Sequence, residues 1–381
     1  MTTSSKHPET LALHGGSYRK DPTTNAVAVP IYQTTSYEFN STEHAGNLFA
    51  LKELGNIYTR IMNPTNAVLE ERLAAIEGGA AALAVSSGQA ASALSIQNVA
   101  QAGDNIVCST DIYGGTWNLF NNTLRAQGID VRFADPSDPE NFKKLTDDKT
   151  RAYYAETLPN PKLSVFPIEE VANIGRPLGI PLIVDNTAAP LSCKPFEYGA
   201  AIVMHSMTKW IGGHGTSIGG IIIDGGNFDW TANPDRQPLF NQPDASYHGA
   251  VWGDVVPQIF GVQIAFAIRA RVVMLRDLGA AIAPQNSFNL IQGLETLPLR
   301  LKQHNSNAEQ VADFLKAHEQ ISKITFPKFA QGKSKENADK YLNGNYGSMI
   351  GIELKNGVQG GKAFIDALEL HYHVANIGDA R

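Results

Sequence analysis

Cysteine is scarce in this 381-residue chain: Cys108 and Cys193 are the only two, both in apolar surroundings and with no C-x-x-C spacing. That argues against a disulfide-stapled scaffold and a cysteine zinc site, suits a reducing compartment, and leaves both thiols as small packing residues. No apolar run approaches the roughly 18 residues that a membrane span needs, and residues 1–8 are polar, without the apolar stretch of a leader. The expectation is a cytoplasmic chain with no membrane partner. No Lys/Arg run stands out from a net charge of −6, so nucleic acid is disfavoured too. Several catalytic signatures are also missing. There is no P-loop and no G-x-S-x-G elbow, the ten histidines include no H-E-x-x-H, and no metal is expected. The glycines from Gly213 to Gly219 do not spell G-x-G-x-x-G and follow a helix start instead of a strand, which disfavours a dinucleotide fold.

What is present is 43% hydrophobic and 18% charged, enough for a large core divided between a main domain and a smaller one. Residues 1–60 lack a clean period and read as an arm laid over another surface, outside any core. A helix follows: Asn63 caps it, Pro64 suits its first turn, Val68, Leu69, Leu73 and Ile76 form its apolar stripe, and Gly78-Gly79 ends it. Apolar strand-like runs at 82–85, 105–108, 129–133, 152–155, 181–184, 201–204 and 219–223 then alternate with helical stretches, the pattern of a mostly parallel α/β sheet. Near Pro257 the pattern turns to long helices at 264–278 and 294–317, with strands expected at 324–326 and 348–354. The domains are therefore set at 61–256 and 257–381. His371 and His373 flank Tyr372 in a further expected strand and read as structural.

Chemistry concentrates at strand ends. Ser206-Met207-Thr208-Lys209 follows one strand and Val184-Asp185-Asn186-Thr187 ends another. A lysine can hold pyridoxal phosphate (PLP) as a Schiff base, flanking hydroxyls on Ser206 and Thr208 can hydrogen-bond its phosphate, and a carboxylate such as Asp185 can keep the ring nitrogen protonated. Ser86-Ser87-Gly88-Gln89 opens a helix after a strand, so the Gly88 and Gln89 amides point at an anion from a helix N-terminus. Tyr113, before Gly114-Gly115, can stack on a flat ring, and Asn160 can hydrogen-bond the ring oxygen. Each piece alone reads as an ordinary turn or helix start. Five strand ends converging are what a ligand in the carboxyl-edge crevice of an open α/β sheet requires.

With these residues the chain resembles the Cys/Met-metabolism family of fold-type I PLP enzymes, and within it the O-acetylhomoserine group. The motifs are Tyr58-Thr59-Arg60 with Asn63-Pro64-Thr65, the Ser86 to Ala91 turn, Tyr113-Gly114-Gly115-Thr116, Val184-Asp185-Asn186-Thr187, and His205 to Trp210 running into Gly212 to Gly215. The resemblance implies an α/β fold of the aspartate-aminotransferase type with a smaller α+β C-terminal domain. It implies that Lys209 carries PLP and removes the substrate α-proton, that Asp185 pairs with the ring nitrogen, and that Tyr113 stacks and assists proton transfer. It also implies phosphate binding by Gly88, Gln89, Ser206 and Thr208, with Thr187 beside the cofactor. Tyr58 and Arg60 are implied to reach a neighbouring subunit's phosphate, in a homo-oligomer built as a dimer of dimers.

The activity implied is γ-replacement, in which O-acetylhomoserine and sulfide give homocysteine and acetate in methionine and cysteine biosynthesis. Gly115, where many γ-lyases carry cysteine, and the segment 228–252 favour this over a cystathionine γ-synthase or methionine γ-lyase; a catalytically weak PLP-binding subunit is the third alternative. Ala188 stands where relatives often have an aromatic and Gly351 where they commonly have a serine, and both are expected to shape the substrate pocket. The chain ends at Arg381, before the arginine that in relatives grips the substrate carboxylate, so the expectation is a smaller domain left incomplete by truncation.

Overall fold

Seven strands form where the sequence alternates: β1 (Ala81–Val85), β2 (Asn105–Ser109), β3 (Asp130–Ala134), β4 (Thr150–Glu156), β5 (Leu182–Asp185), β6 (Ile202–Ser206) and β7 (Gly220–Asp224). They make one sheet of order β1-β7-β6-β5-β4-β2-β3 in a computed structural model that describes residues 3 and 5–381. The pairs β2–β3, β2–β4, β4–β5 and β5–β6 are parallel, while β7 runs antiparallel to both β1 and β6. All seven expected runs are therefore strands of a mostly parallel sheet. The interior strands are apolar almost throughout because helices cover both faces, leaving no solvated side on which polar residues could alternate.

Strand alternation sorts side chains between those faces. Tyr154, Ile183, Met204 and Ile222 pack on one side with Ala91 and Leu94 of a helix α4, Gly88–Gln97. Tyr153, Val184 and Val203 pack on the other. Earlier in the chain come helices α1 (Pro8–His14), α2 (Thr42–Phe49) and α3 (Pro64–Glu77). The Asn63 side chain caps α3 by accepting the Thr65 N–H at 2.9 Å, and Gly78 ends it in the left-handed region at φ 83°. Such a cap contributes on the order of 1 kcal/mol.

The first sixty residues do reach the core, contrary to the sequence reading. Ala12, Val29 and Leu48 are buried, and Ala12 on α1 packs into the cluster formed by α3 and the 33-residue helix Pro284–Lys316. A single small residue per helix is too faint a signal to register as a period. The long helix seats Leu290, Ile291, Leu294 and Leu297 in that same cluster and its far end, at Ala308 and Ala312, against Phe326. Strands β8 (Ile321–Thr325) and β9 (Gly351–Leu354) form a separate antiparallel pair.

The segment 228–252 is not a surface excursion. Phe228, Trp230, Phe240 and Trp252 are all buried in the core, with ring centroids 4.8 Å apart for Phe228–Trp230 and 4.4 Å for Trp230–Phe240. Tyr247 in the same segment donates its hydroxyl to the Phe49 carbonyl at 2.6 Å, tying α2 down. The strand expected around Tyr372 does not form: His371, Tyr372 and His373 are exposed and irregular, with no strand alongside to complete a ladder. Among the described residues no single helix is long and apolar enough to cross a membrane.

Candidate active site

A cavity of about 380 Å³ opens at the carboxyl edge of β1, β2, β4, β5 and β6. Its lining includes Gly88, Gln89, Tyr113, Asn160, Asp185 and Thr187, together with Ser206, Thr208 and Lys209. Nine of the eleven residues singled out from the sequence thus meet in one place. The other two, Tyr58 and Arg60, do not line it: Tyr58 is 40% exposed, the Arg60 guanidinium lies 5.4 Å from its ring centroid, and Arg60 donates to the Arg276 carbonyl.

At the floor, Asp185 ends β5 with part of its surface open to the cavity. The Thr187 N–H donates to its Oδ1 at 2.9 Å, and the Ser206 N–H donates to the Thr187 hydroxyl at 2.7 Å, so β5 and β6 are laced together behind the carboxylate. Burial raises the Asp185 pKa against the opposing pull of Thr187. Lys209 follows β6, half-buried, and desolvation lowers its pKa, which enlarges the neutral, nucleophilic share of the amine.

Along one wall, Ser87 caps α4 by accepting the Ala90 N–H at 3.1 Å, leaving the first amides of the helix directed at the cavity. A Cβ on Gly88 would lie 2.6 Å from the Ser206 Cβ, so only glycine lets this helix start sit against β6. The Gly219 N–H donates to Thr208 Oγ1 at 3.2 Å. Gln89 donates from Nε2 to the Gly115 carbonyl at 3.1 Å, and Thr116 donates to Gln89 Oε1 at 3.3 Å, joining the helix start to the Tyr113 loop.

Helix α5 (Gly114–Asn118) begins directly after Tyr113, which is half-exposed. A Cβ on Gly114 would meet nothing within 4 Å, whereas one on Gly115 would lie 2.4 Å from Cε1 of Tyr113. Gly115 makes room for the ring of Tyr113 itself. Ala188 lines the cavity as expected, but Gly351 does not; it sits in β9 against Thr325.

Among the lining residues that were not anticipated, two meet the carboxylate and the lysine. Glu156 ends β4 beside Asp185, and Asn376 arrives from the far end of the chain to accept a hydrogen bond from Lys209. Glu156 carries a legible signal, a charge closing the apolar run 152–155 at the same sheet edge; Asn376 carries none.

The chain matches the profile of the Cys/Met metabolism PLP-dependent enzymes over residues 9–381. It belongs to that family. It is 52% identical over 379 residues to an O-acetyl-L-homoserine sulfhydrylase of Leptospira meyeri, covering 98% of this chain and 85% of the relative. It is 47% identical to O-acetyl-L-homoserine sulfhydrylase 1 of Thermus thermophilus, covering 98% and 87%. Among solved structures, an assigned O-acetylhomoserine (thiol)-lyase of Campylobacter jejuni, containing N'-pyridoxyl-lysine-5'-monophosphate, superposes with a TM-score of 0.92 at 40% identity, covering 98% and 90%.

As a member of the Cys/Met metabolism PLP-dependent family this chain uses PLP and has the fold-type I architecture. Its cavity fits the cofactor on its own evidence. A desolvated lysine amine, a buried carboxylate and a helix start kept clear by Gly88 converge there, matching an aldehyde, a ring nitrogen and a phosphate.

Proposed function

We propose that this chain catalyses γ-replacement on O-acetylhomoserine, with sulfide as the incoming nucleophile and homocysteine and acetate as products. The observation that carries the reading is the lysine and carboxylate cavity, in a chain about half identical to proteins named for this activity. In it, Lys209 holds PLP, Asp185 faces the ring nitrogen, Thr187 orients Asp185, and Asn160 meets the ring oxygen. Gly88, Gln89, Ser206 and Thr208 receive the phosphate, and Tyr113 covers the ring.

Bound PLP supplies an electron-withdrawing ring that stabilises negative charge on the substrate carbons next to the amino group. Lys209, its amine made less basic by burial, accepts the proton from the substrate Cα and returns it after the exchange. Tyr113, held over Gly115, shields one face of the reacting carbons and stands within reach of protons moving among them. At Cγ the bond to acetate oxygen breaks, the bond to sulfur forms, and the proton lost by hydrogen sulfide balances the departing acetate.

The active unit in this reading is a homo-oligomer in which Tyr58 and Arg60 of one copy complete another copy's phosphate site. Their place outside the cavity and the exposed apolar residues of the same segment, Val27 at 81% and Leu54 at 69%, support it. The assignment to cytoplasm is supported by two free, buried thiols, and the division into a larger and a smaller domain by the two separate sheets.

The test is a visible absorbance spectrum of the PLP-loaded protein, with homocysteine assayed from O-acetylhomoserine with and without sulfide. Lys209→Ala is expected to lose the absorbance of lysine-bound cofactor and nearly all turnover. Sulfide-independent product, or a Lys209→Ala variant with the parent's spectrum and rate, overturns the reading.

A further inference from the structure

Glu156 closes β4 in register with Asp185 on β5, on the sheet face that carries Tyr154 and Ile183. It is only 7% exposed yet lines the cavity. Its Oε1 accepts the Tyr113 backbone N–H at 2.6 Å, and Asn160, four residues after Glu156, lines the same cavity. One side chain thus holds the loop that carries Tyr113 while standing beside Asp185. The reaction derived above makes no use of it.

We propose that Glu156 is a positioning residue of the cofactor site, tying the Tyr113 loop to the strand end that presents Asp185. The inference rests on the reading of this cavity as the PLP site.

The charge state follows from the neighbours. The titratable groups facing Glu156 are Asp185 on β5, Tyr154 on its own strand and Cys108 on β2, none of them a cation. Two carboxyl groups side by side in a dry setting do not both ionise. Burial, and then the charge of Asp185, push Glu156 well above the carboxylate range although the Tyr113 N–H pulls the other way, whereas burial raises Asp185 against two hydrogen bonds from Thr187 and the nearby His205. The proton therefore rests on Glu156 and the charge on Asp185. Glu156 acts as a neutral acid whose carbonyl oxygen receives the Tyr113 N–H, and Asp185 is left as the anion for a ring nitrogen. A neutral acid has a close mimic in glutamine, which keeps the accepting oxygen.

The experiment compares Glu156→Gln and Glu156→Ala by titrating cofactor-stripped full-length protein with PLP, alongside unfolding midpoints and a parent-minus-Gln infrared difference spectrum at neutral pH. Alanine is expected to weaken PLP about tenfold, the scale of one lost buried hydrogen bond. Glutamine is expected to restore affinity to within about threefold of the parent. The difference spectrum should show the carbonyl band of a protonated carboxyl. A glutamine variant as weak as alanine, an alanine variant as tight as the parent, or an absent band overturns the proposal. Should the alanine variant fail to fold, glutamine affinity and the infrared band still decide. No readout involves the homoserine ester or sulfide, so failure here and failure of the γ-replacement reading are separable.

Discussion

The Lys209 amine donates to Oδ1 of Asn376 at 2.7 Å, across 167 residues of sequence. The contact holds the amine against residues 374–377, which line the same cavity as Asp185. Asn376→Ala removes the acceptor and is expected to lower kcat about tenfold, with the visible spectrum of the loaded protein retained. Asn376→Asp sets a carboxylate beside the amine, which favours the ammonium form. If the neutral amine is the proton acceptor, as proposed, the acidic limb of the kcat profile should move up by about one pH unit or more, read from rates across the pH range. An unmoved limb in the Asp variant would remove Asn376 from the reaction.

The clearance between Gly115 and the Tyr113 ring gives a second prediction. Alanine at Gly115 would place a Cβ 2.4 Å from the ring, so the ring must swing away. Gly115→Ala is expected to weaken PLP about tenfold while leaving the unfolding midpoint nearly unchanged, since the ring is half-exposed. In a Tyr113→Ala background the same substitution should have little further effect, because both changes act through one ring. Additive losses would show that Gly115 acts elsewhere.

Shared sites predict complementation. If Tyr58 and Arg60 serve a neighbouring copy, Lys209→Ala and Arg60→Ala chains, each weak alone, form hybrids in which one site combines an intact Lys209 with an intact Arg60. Mixing after mild dissociation should restore up to about a quarter to a half of the parent rate, depending on how copies redistribute. No recovery in mixtures shown to exchange subunits would confine both residues to their own chain.

Asp224 predicts a pH dependence of stability. Buried at the end of β7 with the Gly226 and Ala267 amides on its carboxyl, it is pushed up from 3.8 to about 7 by desolvation. Between those values the folded chain holds a proton that the unfolded chain has released, so stability from this group falls as pH rises through the window and is level above it. Urea midpoints at pH 5.5 and 8 should differ in the parent, with the lower pH more stable, and differ less in Asp224→Asn. An equal slope in both would assign the dependence to other groups.

Much of the site was legible because its parts are local. Lys209 beside Ser206 and Thr208, Asp185 beside Thr187, and Gly88 after Ser87 are each set by a strand end running into a turn, and strand ends show as the close of an apolar run. Glu156 was passed over although it has the same signature, because only the pairing of β4 with β5 sets it beside Asp185. The small buried residues of the first sixty positions were missed for a related reason: Ala12 contributes to the core through what packs on it, not through a pattern of its own.

The sequence by itself determined the seven strands, the caps at Asn63 and Ser87 and the set of chemical groups available, since these depend on neighbours a few residues apart. Only the tertiary structure decided which groups share a cavity, that Tyr58 and Arg60 stand outside it, that Gly115 serves the Tyr113 ring and that Asn376 meets Lys209. Desolvation and Coulomb energy depend on distance through space, and the fold brings β4 beside β5 and residue 376 beside residue 209 by packing that no local segment encodes.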